Sequence, residues 1–197
     1  MIRSAVRRVD GILYTHSHAD HIFGLDDLRV FNFRQRTTIP CFGAEDTLAS
    51  LRRVFSYAFE VATEGGGRPQ IELVPVRRDE PFRVLDVEVR PVPVRHGSAE
   101  VFGYRLGRFA YVTDVSFIPE ESYALLRGLD ALILGALRYK PHSTHFSLAE
   151  AVAAAERIGA RRTWFTHMNH DVDHANLLVP LPAGVELGYD GLVFDVD

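Results

Sequence analysis

The run Thr15-His16-Ser17-His18-Ala19-Asp20-His21 constrains this chain more than any other stretch. Three of its nine histidines fall within seven positions, with an aspartate beside them. The run follows an apolar, strand-like segment, Ile12-Leu13-Tyr14. Side chains alternate faces in an extended chain, so His16 and His18 point the same way. Asp20 and His21 fall where the chain turns toward a helix. Two imidazoles on one face, with a carboxylate and a third imidazole next to them, make a pocket for one or two divalent cations. The bland alternative is a solvated, histidine-rich turn, and the rest of the chain decides between the two.

Three later stretches end in further donors. Val92-Pro93-Val94-Arg95-His96-Gly97 closes an apolar, β-rich run in histidine. Phe109-Ala110-Tyr111-Val112-Thr113-Asp114 closes a second in aspartate. Thr163-Trp164-Phe165-Thr166-His167 closes a third in histidine. Polar residues just beyond buried strands are where layered folds place chemistry, because strands fix the position and loops carry the group. Each alone is weak, since an aspartate after a strand is commonly a turn former.

The His-x-His-x-Asp-His pattern resembles the signature of the metallo-β-lactamase superfamily, and His96, Asp114 and His167 follow in the order that family requires. The resemblance implies an α+β fold, a four-layer αββα sandwich with metals between two β-sheets, in a single metallo-hydrolase domain over residues 1–197. It implies two divalent ions, zinc or manganese foremost and iron allowed. His16, His18 and His96 would hold one, Asp20, His21 and His167 the other, with Asp114 bridging. The set is five histidines and two aspartates without a thiolate, which suits those borderline and hard metals and disfavours copper-type chemistry. In the family, strands and a glycine-rich segment precede the first histidine motif. Here only fifteen residues precede His16, so the chain reads as short of the first strands of that fold.

Two blocks narrow the branch: Pro141-His142-Ser143-Thr144-His145-Phe146-Ser147-Leu148-Ala149-Glu150-Ala151, and Thr166-His167-Met168-Asn169-His170-Asp171-Val172-Asp173-His174. Together they are similar to the cyclic phosphodiesterase of bacterial phosphonate degradation and, less closely, to the endonuclease that matures tRNA 3′ ends. In both, a histidine just before a helix acts as general acid, a role that falls to His145. The phosphonate-pathway family also holds a structural zinc with an N-terminal cysteine cluster and a later histidine. His170 matches that histidine, but Cys41 does not match the cysteines, so no structural zinc is expected.

The implied activity is hydrolysis of a small cyclic or linear phosphodiester by a metal-bridging hydroxide. Asp20 would help orient the nucleophile and His145 would protonate the departing alkoxide. The alternatives are a thioester or lactone hydrolase on the same metals, or a catalytically weakened binding or sensor member. The expected partner is a small phosphodiester, with no membrane and no RNA, and a homodimer is allowed. A formal charge of −4 gives no electrostatic case for general nucleic-acid binding. One cysteine excludes an internal disulfide and is consistent with a reducing cytoplasm. No apolar stretch reaches membrane-spanning length.

The pattern of apolar residues predicts strands over 10–15, 39–43, 71–76, 84–94, 100–106, 109–113, 131–134 and 161–166. It predicts helices over 21–33, 45–59, 119–127 and 148–158, the last capped by Ser147 and Glu150 and ended by Gly159. A loop is predicted over 63–69 and a terminal hairpin over 185–196, around Tyr189-Asp190-Gly191. Asp26 and Asp27 read as helix-face carboxylates, Trp164 as core, and Arg77, Arg78, Arg161 and Arg162 as solvated. Arg34 and Arg36 read as surface arginines, with a substrate phosphate as the less favoured use. Tyr139 and His142 are expected at the pocket mouth. Asp171, Asp173 and His174 are expected to orient His167.

Overall fold

A computed structural model describes residues 6–60 and 67–196. The chain divides into two compact units, Met1–Asp86 and Val87–Asp197. Residues 63–66 of the expected loop lie outside the described residues.

The first unit carries strands β1 (Ile12–Leu13), β2 (Ile39–Gly43), β3 (Ile71–Pro75) and β4 (Phe82–Val84). The first three form a parallel sheet in the order β1-β2-β3, with Ile12 opposite Cys41 and Cys41 opposite Leu73. Parallel neighbours require crossovers. Helices α1 (Ala19–Ile22) and α2 (Leu28–Gln35) supply the first and α3 (Glu45–Val54) lies in the second. Their apolar faces close a core of Tyr14, Ile22, Leu25, Leu28, Phe31, Ile39, Leu48 and Leu51. The single helix expected over 21–33 is broken by a 3-10 segment, Phe23–Asp27. Ile22, Leu25 and Leu28 are all buried. They are spaced by three, and the threefold turn of a 3-10 helix keeps them on one side. The helix expected over 45–59 likewise stops at Val54. Ser56–Ala58 follows as a 3-10 turn, and the Tyr57 hydroxyl donates to Asp26 Oδ1 at 2.6 Å.

In the second unit six strands lie side by side in the order β10-β9-β8-β7-β6-β5. β5 (Val87–His96) and β6 (Ala99–Leu106) form a hairpin that sets His96 opposite Ala99. β7 (Phe109–Val112) is antiparallel to β6, whereas β8 (Ala131–Gly135), β9 (Arg162–Thr166) and β10 (Val185–Leu187) continue in parallel. Helices α4 (Glu120–Leu125) and α5 (Leu148–Ile158) complete the unit. Val92, Val94, Ala110, Val112, Leu132, Leu134 and Phe165 pack in one core with Leu148, Ala151, Ala155 and Ile158 of α5. Both halves of the predicted capping box are made at Ser147, and Gly159 ends α5 with a left-handed φ of 68°.

The terminal hairpin does not form. Val185–Leu187 is a lone strand pairing in parallel with β9, and no strand follows it among the described residues. Beyond Gly188 the chain leaves the sheet and Phe194 stacks on Trp164 at 4.3 Å. Trp164 is buried as expected, and its Nε1 donates to Glu186 Oε2 at 3.1 Å. No helix among the described residues is long and apolar enough to cross a membrane.

Candidate metal centre

In the first unit, β1 leads straight into the histidine cluster. Tyr14 N donates to Phe42 O at 2.8 Å, which holds the chain extended one residue past the strand. His18 keeps extended backbone (φ −65°, ψ 153°) and α1 begins at the next residue. The helical turn then brings His21 back toward His16. Their rings lie 4.2 Å apart, and His16 lies 4.5 Å from His18. His16 is buried, His21 is half-buried with Nε2 3.4 Å from Asp20 Oδ2, and the Asp20 carboxylate is exposed. Thr15 Oγ1 sits 3.1 Å from His16 Nδ1 and 3.4 Å from His21 Nδ1. A hydroxyl has two lone pairs, so it can accept from both Nδ1–H groups. That tautomer leaves both Nε2 lone pairs for a cation.

The second unit holds His96, Asp114, His145 and His167. His96 ends β5, and its Nδ1 lies 2.7 Å from the carbonyl oxygen of Thr144. A carbonyl only accepts, so Nδ1 carries the proton and Nε2 presents its lone pair. Gly97 permits this contact. It has a φ of 62°, and a Cβ there would sit 2.8 Å from Thr144 Cγ2. Asp114, 2% exposed, follows β7 with a φ of 52°, and His167 follows β9 with a φ of 61°. Left-handed backbone at such residues costs on the order of 1–2 kcal/mol, and it collects where a function fixes the side chain.

Each Asp114 oxygen has its own partners. Oδ1 accepts from Thr113 Oγ1 at 2.9 Å and lies 3.2 Å from His167 Nε2; Oδ2 lies 3.3 Å from His145 Nε2. The His145 ring is 4.6 Å from His96 and 5.0 Å from His167. Its Nδ1 is 2.8 Å from Thr144 Oγ1 and 3.3 Å from His142 Nδ1. Burial pushes the His145 imidazole below its ordinary pKa; Asp114 pulls it upward, and His96 and His167 add to the lowering. Asp114, His145 and His167 each offer one donor atom, all within 4.8 Å of one another. A buried carboxylate and imidazoles at that spacing fit a divalent cation that prefers nitrogen and oxygen.

His16, His18, Asp20 and His21 are thus gathered in the first unit, and His96, Asp114, His145 and His167 in the second. Thr15, Thr113, Thr144 and His142 are the supporting residues that the sequence pattern did not single out as such. Their signal was adjacency alone, each standing one to three residues from a ligand candidate. Asp171 pairs with Asn169 and His170, Asp173 with Ala175 N and Asn176, and His174 with the Gly188 carbonyl. Arg162 is exposed as expected, and its guanidinium lies 4.4 Å over the Trp164 ring. Tyr139 is engaged by Leu178 N, which donates to its hydroxyl at 3.1 Å.

A profile of the β-lactamase superfamily domain matches residues 2–168. The chain belongs to the β-lactamase superfamily. It is 43% identical to a diphosphatase of the PhnP family, matching 97% of this chain and 72% of that one with a TM-score of 0.88. YhfI of Bacillus subtilis, a metallo-β-lactamase fold protein, matches at 18% identity over 94% of this chain and 76% of its own, with a TM-score of 0.75. An octanoyltransferase of Porphyromonas gingivalis is 32% identical over 196 residues, 98% of this chain. The chain spans 39% of that relative's length. The α+β fold expected from the histidine motif is therefore the fold this superfamily member has. It is a metal-dependent hydrolase fold close to the PhnP family, with histidine and aspartate clusters suited to divalent ions.

Proposed function

We propose that this chain hydrolyses a small cyclic or linear phosphodiester on two divalent metal ions. The proposed ligands are His16, His18, Asp20, His21, His96, Asp114 and His167, and the proposed general acid is His145. The observation that carries the reading is the Asp114 carboxylate, buried and faced by the Nε2 atoms of His145 and His167 at 3.3 and 3.2 Å. The likeness to a diphosphatase supports phosphorus–oxygen bond cleavage as the reaction class. Bound dications would supply hydroxide at neutral pH and offset charge building on the phosphoryl oxygens.

The chain's own residues do the rest. His96 holds its Nε2 toward a ligand position because Thr144 O fixes the other nitrogen. Asp20, with an exposed carboxylate beside His21, would help orient the nucleophile. His145 delivers a proton from Nε2. Burial lowers its pKa, which makes the protonated ring a readier donor, while Asp114 Oδ2, 3.3 Å from Nε2, pulls the other way.

The test is turnover of bis(p-nitrophenyl) phosphate by protein loaded with zinc, manganese or iron, with bound metal measured on the same samples. Asp114→Ala should lose metal and activity together. His145→Ala should keep its metal and lose about a hundredfold or more in kcat. Loss of metal from His145→Ala would make His145 a ligand and end the acid assignment. The octanoyltransferase relative motivates a second reading, an acyl ester or thioester substrate. An octanoyl thioester cleaved by metal-loaded protein that leaves phosphodiesters intact would select it.

A further inference from the structure

We infer that the first unit contains a second binding site, for a nucleoside polyphosphate, built from arginines at the end of α2. Its floor is rigid. Asn32 is buried; its Nδ2 donates to Thr37 O at 2.9 Å and Gln70 O at 2.8 Å, and its Oδ1 accepts from Gln70 N at 2.9 Å. This one amide ties the last turn of α2 to the segment entering β3. Arg36 closes the helix with a left-handed φ of 54°, its N–H donating to Asn32 O at 2.8 Å. Over this floor lies a cavity of about 680 Å³ whose wall includes Arg29, Arg34, Arg36, Arg68, Phe33 and Gln70.

Charge and desolvation say what fits. Arg29 pairs with Asp26 at 3.2 Å. Among the described residues no carboxylate pairs with Arg34, Arg36 or Arg68. Surface arginines without partners are ordinary, but Arg68 is not one of them. Its Nη1 is buried and has no hydrogen-bond partner. A guanidinium donor held out of water without an acceptor is costly, and turning this group toward an oxyanion in the cavity removes that cost. Several arginines lining one cavity match the spread oxygens of two or more phosphates better than a single carboxylate. Beside them Phe33 is 86% exposed, the next turn of the same helix after the arginine at 29. An aromatic face next to cations is a stacking platform for a base, and the exposed Gln70 amide stands ready for a base edge. The cavity volume is that of a small-ligand pocket.

The probe is ADP, titrated calorimetrically against the whole protein, with pyrophosphate and adenosine as separate arms. ADP should bind more tightly than either. Arg68→Gln and Phe33→Ala should each weaken ADP about tenfold or more, with bis(p-nitrophenyl) phosphate turnover unchanged, since neither residue belongs to the metal cluster. Arg68→Lys keeps the charge but loses the fork, and should weaken binding while the fold, followed by circular dichroism, is retained. Pyrophosphate binding as tightly as ADP, or Phe33→Ala without effect, overturns the nucleotide assignment. No ADP binding, or binding that the Arg68 variants leave unchanged, overturns the site itself.

Discussion

At Gly97 a hydrogen atom in place of a side chain decides how His96, a proposed ligand, is aimed. The Thr144 carbonyl reaches His96 Nδ1 only because no Cβ occupies the 2.8 Å gap to Thr144 Cγ2. Gly97→Ala should push that loop outward, add strain at a φ of 62°, and weaken metal binding about 10- to 100-fold, as loss of a ligand's supporting hydrogen bond does. Metal titration of the folded variant checks this; an unchanged affinity would mean that Thr144 does not set the His96 tautomer. Cys41 is a simpler case. It is fully buried, and burial pushes its thiol up to about 12. The native protein should therefore leave a disulfide-exchange reagent unreacted at pH 8, and unfolding in denaturant should release one thiol. The sign follows from the raised value. The neutral thiol is favoured on folding, so its contribution to stability is full below the ordinary thiol range and declines only at more alkaline pH. The proposed ligands stand out in the sequence because they crowd into one short run, His16–His21, or end an apolar run, as His96, Asp114 and His167 do. Thr15 and Thr144 were not, because a threonine beside a histidine carries no pattern until the chain is folded.

Among the elements, those with local signals match their predicted limits, and those set by distant partners do not. Ile39–Gly43 and Leu148–Ile158 were readable from composition, caps and period. The 3-10 stretch at Phe23–Asp27 and the lone β10 were not. The first depends on which residues face the core, and the second on β9 being there to pair with. α5 owes its first turn to Ser147, whose hydroxyl accepts from Glu150 N at 3.3 Å while Ser147 N donates to Glu150 Oε2 at 2.8 Å. Because Ser147 stands two residues after His145, this cap also fixes where the loop that carries His145 joins the helix. Ser147→Ala should cost about 1 kcal/mol of stability in chemical denaturation. A loss below about 0.3 kcal/mol would show that packing of α5, not its cap, sets where the helix begins.

Over the whole molecule, two cores are built from ordinary apolar packing, while the histidine and aspartate clusters sit beside them as concentrated polarity. Such clusters contribute little to folding by themselves. Crowded imidazoles and a buried carboxylate in left-handed backbone are arrangements that a bound cation would stabilise. A cation that binds only the folded chain adds RT ln(1 + [L]/Kd), about 2.7 kcal/mol at a hundred times Kd. For a chain of this length that corresponds to a shift of roughly 5–10 °C in melting temperature. Chelation should therefore lower the melting temperature by about that much and abolish phosphodiester turnover, and added zinc or manganese should restore both. The Asp114→Ala variant should melt at the same temperature with and without metal, because Asp114 is proposed to touch both ions. If chelation moves neither the melting curve nor the turnover of the unaltered chain, divalent ions are not part of its working form, and the proposed hydrolysis fails with them.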